Sequence, residues 1–105
     1  MADFMKMLQQ AQEMQGRLQQ IQDELERRTV TATSGGGMVT VTADGKGQIK
    51  TIKIDPAVVN PSDVEMLEDL VTVAVTEAQK KAAEVAQEEM KKLTGGLSLP
   101  FKMPF

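Results

Sequence analysis

The chain contains no cysteine and no histidine. Without cysteine neither a disulfide nor a thiolate metal site can form, and without histidine the commonest general base and metal ligand is missing. Tryptophan and tyrosine are absent as well, so three phenylalanines are the whole aromatic complement. A core must then be built from aliphatic side chains and the flexible methionines, of which there are eight. Aromatic platforms for stacking single-stranded nucleic acid are missing too. No apolar run reaches the ~18 residues of a membrane span, and the N-terminus lacks the charged and apolar regions of a signal peptide. A cytoplasmic protein without a membrane partner is the expectation. Ser-x-x-Lys and nucleophile-elbow spacings are absent, and Asp44 and Asp55 read as turn residues. No enzymatic activity, cofactor, metal or small-molecule substrate is therefore expected.

What the chain does have is two long helical patterns around a short β pattern, within the 105 residues of one small domain. Residues 3–28 lack proline and are rich in Gln, Glu, Leu and Met, which favour helix. Phe4, Met7, Ala11, Met14, Leu18, Ile21 and Leu25 recur in alternating steps of three and four, a heptad seam assigned to packing. Asp3 is a plausible N-cap, and Gly16 in the middle suggests a close approach or a slight flex. The pairs Glu13–Arg17, Asp23–Arg27 and Glu24–Arg28 have the favourable i,i+4 order. The outer face is largely glutamine.

Residues 29–55 alternate instead. Thr29 to Ser34 reads as a first strand, and Gly35-Gly36-Gly37 as a flexible turn, since the spacings of phosphate-cradling loops are absent. Val39 and Val41 share one face of a second strand and Thr40 and Thr42 the other. Asp44-Gly45 marks a hairpin. On the return strand Ile52 and Ile54 alternate with Lys53, but Ile49 falls out of step, which predicts a bulge or face change. Lys46, Lys50 and Lys53 read as guards of solubility and of the sheet edges. Residues 62–94 form the second helix, with a capping box at Ser62-Asp63-Val64-Glu65 and an apolar face through Leu67, Leu70, Val71, Ala74, Val75 and Ala78. That face narrows to Ala82, Val85, Ala86, Met90 and Leu93, and residues 95–105 follow as a flexible tail. A helix of this length spans about 45 Å, whereas a compact domain of about 100 residues has a radius of gyration near 13 Å, so the second helix must project. The α+β reading is a helix, a three-stranded antiparallel meander and a long helix, with a homodimer through the β region covering exposed edges.

Four segments carry a family resemblance: LQQAQEMQGRLQQIQDEL (Leu8–Leu25), GGGMVTVTADGKGQIKTIKIDP, LEDLVTVAVTEAQKKAAE (Leu67–Glu84) and MKKLTGGLSLP (Met90–Pro100). Together, and in this order over nearly the whole chain, they resemble the YbaB/EbfC family of bacterial nucleoid-associated DNA-binding proteins. The first helix departs from the family pattern in carrying glutamine where lysine is expected, and the tail lacks an extended Pro-Gly stretch. The resemblance implies a strand-joined homodimer with tweezer-like helical arms that bind double-stranded DNA with little sequence specificity and help organise the nucleoid.

Charge bears directly on that implication, because phosphate contact rests on basic residues. The chain is net −3, yet residues 55–79 hold six acidic and no basic residues, which leaves +3 on the remainder. From Met90 onward the only charged residues are Lys91, Lys92 and Lys102. With the helices antiparallel, Lys6 and Arg17 would join them toward the arm tip, so Lys91, Lys92, Lys6 and Arg17 are the candidate phosphate contacts, followed by Lys80 and Lys81. Glu77–Lys81 and Glu88–Lys92 are also ordinary helix pairs, and lysines near a helix C-terminus complement its dipole. A protein-binding clamp stays open as a second reading, with the heptad seam and the Met/Phe-containing tail, Phe101 and Phe105 included, as anchors.

Overall fold

The computed structural model describes residues 2–94, and the expected tail at 95–105 lies outside the described residues. The elements are α1 (Ala2–Arg27), β1 (Thr29–Ser34), β2 (Val39–Asp44), β3 (Ile49–Ile54) and α2 (Val64–Thr94), in that order. The three strands form one antiparallel sheet in the order β1-β2-β3. Val39, Val41 and Ala43 of the central strand and Val30 and Ala32 of β1 face one side and are buried there. α2 lies across that side, over β1 and β2. The residues it presents there include Ala74, Ala78 and Ala82, none more than 1% exposed. Small side chains let the helix axis approach the sheet closely. Thr31, Thr33, Thr40 and Thr42 face the opposite, more exposed side.

The irregularity expected near Ile49 is present. Thr42 pairs with Thr51, but Ala43 pairs with Ile49, so Lys50 is the extra residue of a bulge. The bulge returns Ile49 to the core side, where it packs against the buried cluster. In the hairpin the positive φ falls on Gly47 (88°) and not on Gly45. Gly45 is needed for proximity instead. A Cβ there would lie 2.8 Å from the Leu25 carbonyl oxygen, which accepts the Gly45 N–H at 2.8 Å. The end of α1 is thereby fastened to the hairpin turn. Gly35, Gly36 and Gly37 all take positive φ in a short turn between β1 and β2.

Two edges bound this sheet, and they differ. Asp55 donates its N–H to the Met38 carbonyl at 2.8 Å. Hydrogen-bonded and non-bonded pairs alternate along an antiparallel ladder, so the Thr31 carbonyl points out from β1, and the backbone groups of Ile52 and Ile54 point out from β3. The Lys81 ammonium of α2 donates to that Thr31 carbonyl at 2.8 Å. On the β3 side the helix does not reach as far, and Ile52 and Ile54 are 44% and 37% exposed.

The helix ends differ from expectation in detail. Asp3 lies inside the first turn of α1 rather than capping it. Asp63 caps α2, its carboxylate accepting the Met66 N–H at 3.2 Å, while Ser62 belongs to a turn in which its N–H donates to the Asn60 side chain at 2.9 Å. Gly16 makes no close approach, because a Cβ built there meets nothing within 4 Å. Gly16→Ala should therefore stabilise α1 by about 1 kcal/mol through helix propensity alone, read as a higher helical signal and melting temperature.

The molecule is long for its size, 72 × 25 × 16 Å with a radius of gyration of 19.7 Å. Helix length alone singles out α2 as the projecting element, but much of α2 is spent on the sheet, and α1 projects further. α1 touches the hairpin only at its C-terminal end. Its seam is buried at Leu25, half-buried at Ile21, Leu18 and Met14, and exposed at Ala11, Met7 and Phe4. The packing role expected of that seam is met in its second half only.

Candidate nucleic-acid interface

The arm is built from the C-terminal half of α1 and the C-terminal half of α2, running antiparallel. Leu18, Ile21 and Leu25 line one side of a recess of about 620 Å³, and Ala83, Ala86 and Met90 line the other. Met90 shares this recess with Leu18, and Leu93 shares a neighbouring one with Arg17 and Ile21, so α2 ends near this level of α1. The arm base is set by the hairpin contact at Gly45 and by the carboxylate next to it. Asp44 is 2% exposed and accepts the N–H groups of Lys46 at 2.9 Å and Gln48 at 3.0 Å, with the Lys50 ammonium at 3.7 Å. Burial acts to raise its pKa, but the Gln48 and Lys46 amides and the charges of Lys50 and Lys46 together outweigh it and hold the carboxyl below its ordinary value.

A carboxyl with a pKa depressed by folding contributes stability above its unfolded-state pKa and loses it as pH falls through the folded-state value. Asp44→Asn should accordingly lower the denaturation midpoint at neutral pH. The difference from wild type should close as pH falls below the ordinary carboxylate range. A gap that persists unchanged into acid would show that Asp44 does not act through its charge.

The basic residues expected to contact phosphate fall at three levels along the arm. Arg17 and Lys92 line one recess with Gln20, Glu24, Glu89 and Leu93, and Lys91 adjoins it on α2. Lys6 is eleven residues further out on α1, about 16 Å along the axis. Lys80 and Lys81 are the same distance back toward the sheet on α2. All six are exposed, and Lys81 and Lys92 are among those with internal partners. Lys81 holds the Thr31 carbonyl rather than Glu77, and Lys92 lies 3.3 Å from Glu89 rather than pairing with Glu88. Lys6 does not share a tip with the α2 lysines, because α1 outruns α2.

Glu89 ties the arm together and is not singled out by the sequence pattern. It sits four residues after Val85 on the inward stripe of α2 and is 7% exposed. Its carboxylate takes the Arg28 guanidinium at 2.7 Å and the Lys92 ammonium at 3.3 Å. A buried carboxylate demands such partners, which is why Arg28 turns across to α2 instead of pairing with Glu24. The available signal is a glutamate at an apolar heptad position opposite Arg28. Lys46 and Lys50, expected as edge guards, are likewise engaged, with Glu26 at 2.7 Å and Asp44 at 3.7 Å.

Among the described residues there is no group of three acidic, histidine or cysteine side chains placed to hold a metal. No helix among them is long and apolar enough to cross a membrane. The model of the YbaB/EbfC DNA-binding family matches residues 1–97. A protein of Gemmatimonas aurantiaca is 59% identical over 98% of this chain and 99% of its own length. One of Clostridium novyi is 52% identical over 90% of this chain and 82% of its own. Both are described as nucleoid-associated proteins. Among solved structures, the uncharacterized protein HP0035 of Helicobacter pylori shares the fold. It aligns with a TM-score of 0.63 at 24% identity over 84% of this chain and 98% of its own.

Proposed function

The chain belongs to the YbaB/EbfC DNA-binding family, and we propose that it is a non-enzymatic, nucleoid-associated homodimer that grips double-stranded DNA through its arms with little sequence preference. The observation that carries this reading is the distribution of charge along the arm. The first half of α2, against the sheet, carries Glu65, Glu68, Asp69 and Glu77 and no basic residue, while Lys80, Lys81, Arg17, Lys91, Lys92 and Lys6, interleaved with Glu84, Glu88, Glu89, Glu13 and Asp3, are spread over about 33 Å toward the free end. That span is close to one turn of B-form DNA, about 34 Å. Contacts of lysine and arginine to phosphate position a protein without reading bases.

The β3 edge supports the dimer. Ile52 and Ile54 are exposed on the side where the rest of the sheet is buried, and their backbone groups face outward. A second copy meeting this edge would satisfy both the apolar side chains and the open hydrogen-bonding groups. The protein-clamp reading draws on a different feature, the bare apolar stretch of α1 from Phe4 to Leu8. The two readings separate by salt.

The test is fluorescence anisotropy of a labelled random-sequence duplex from about 50 to about 200 mM salt. Arg17, Lys91 and Lys92 from each of two arms would make about six phosphate contacts, for which affinity should fall roughly a thousand-fold across that range. Binding that ignores salt, or no binding at the lowest salt, would overturn the DNA reading.

A further inference from the structure

The N-terminal half of α1 carries an apolar surface that α2 does not reach. Phe4 is 64% exposed, Met7 66% and Leu8 50%, and Ala11 is exposed as well. Met14 is half-buried, and α2 ends near the level of Arg17, where Leu93 shares a recess with it. Phe4, Met7, Ala11 and Met14 continue the alternating steps of three and four that face α2 from Leu18 to Leu25. Such a seam fits a second helix carrying the same period.

The side chains beside the seam say which helix. Let two copies of this stretch lie antiparallel about a two-fold axis at residue 9. Phe4 of each copy then meets Met14 of the other, and Met7 meets Ala11. One flank of the seam holds Asp3, Gln10 and Arg17, and the other holds Leu8. Across the axis Asp3 of each copy falls beside Arg17 of the other, Gln10 beside Gln10, and Leu8 beside Leu8. Opposite charges therefore meet twice, and Leu8, which lies off the seam, gains an apolar neighbour. Lys6, Glu13 and Met5 stay outside the contact. A parallel pair sets Leu8 beside Asp3 and Arg17 beside Gln22, with no charge matched. Among the described residues neither Asp3 nor Arg17 has an ion-pair partner in its own chain.

We propose that the N-terminal half of α1 is a self-association surface on which α1 of a second copy docks antiparallel in this register. α2 already runs antiparallel to α1, so the incoming helix has the direction of α2 and takes up the seam near where α2 stops. The contact joins arms and not sheet edges. It needs no DNA, so it stands or falls separately from the proposed function, although Asp3 and phosphate would compete for Arg17. It covers only about 15 Å of helix, which places it in the transient class.

The absence of native cysteine makes the test direct. Gln15→Cys is spin-labelled in ¹⁴N protein and mixed with unlabelled ¹⁵N protein at about 1 mM, where an association of millimolar Kd is populated. Only contact between copies can then broaden the ¹⁵N spectrum. Antiparallel docking sets the label opposite residue 3, so the amide signals of residues 3–6 should be lost and those of residues 14–17 kept, with recovery on reducing the label. Leu8→Glu, introduced in both proteins, sets two like charges at the axis and should abolish the loss, as should Asp3→Arg. Exchanging both charges, Asp3→Arg with Arg17→Asp, should restore it. All three residues are exposed, so the helical signal should not change. Full signals in the first mixture would overturn the proposal in favour of a different partner. Loss centred on residues 14–17, loss that persists in Leu8→Glu, or no restoration by the double exchange would each overturn it as well.

Discussion

Reversing two charges at the end of α2, Lys91→Glu with Lys92→Glu, should weaken binding to a random-sequence duplex by roughly a thousand-fold or more at about 50 mM salt. Across the two arms of a dimer the change removes about four ammonium groups from phosphate, so the slope of log affinity against log salt should flatten by about 3.6. The fold should tolerate the change. Lys92 is exposed, and Glu89 keeps its shorter pair with Arg28 at 2.7 Å when Lys92 is gone. Melting temperatures within the scatter of wild type would confirm that affinity and not folding was altered. The neutral pair Lys91→Gln, Lys92→Gln separates lost attraction from new repulsion and should give a smaller drop in affinity with the same flattening of slope. Undiminished affinity in both variants would remove the end of α2 from the interface.

Ala78→Leu is the substitution with the largest expected effect on stability. Ala78 is fully buried where α2 crosses the sheet, beside Ala74 and Ala82 and above Val39 and Val41. A leucine needs space that exists only if the helix lifts, and overpacking of this kind costs about 3 kcal/mol. The urea midpoint should fall accordingly, with the slope of the transition unchanged. Ala83→Leu on the same helix is the control. Ala83 is exposed at the recess between α1 and α2, and the larger side chain should change stability by no more than about 0.5 kcal/mol. Equal losses at both positions would mean that helix contact with the sheet is less close than described.

Particular residues show why some of this was legible in the sequence and some was not. Local periodicity set the strands almost to the residue, because each face of a strand is fixed by alternation, and the misplaced Ile49 announced the bulge at Lys50. Composition alone also exposed the alanine face of α2. The seam of α1 looked uniform from Phe4 to Leu25, but how far along it a partner helix extends is a tertiary fact, set by where α2 leaves the sheet. Side-chain partners were the least legible part of the candidate interface. Arg28, Lys81 and Lys92 each had a suitable acid four residues away, and each bonds to another group instead, Arg28 and Lys92 to Glu89 and Lys81 to the Thr31 carbonyl. Helix-local pairing is worth only a few tenths of a kcal/mol, so a buried carboxylate or an open strand carbonyl nearby outcompetes it.

The Lys81 contact also limits how this sheet can grow. A strand edge with free backbone groups invites another strand, and a sheet open on both sides can be extended without end. Here a charged side chain occupies the outward carbonyl of β1, while β3 keeps its outward groups bare. One edge carries a charged guard at its middle carbonyl and the other does not. Association through the unguarded edge about a two-fold axis would use it up in both partners, so that the joined sheet would end on two lysine-guarded β1 strands. A lysine on the helix thereby favours a closed pair over a filament.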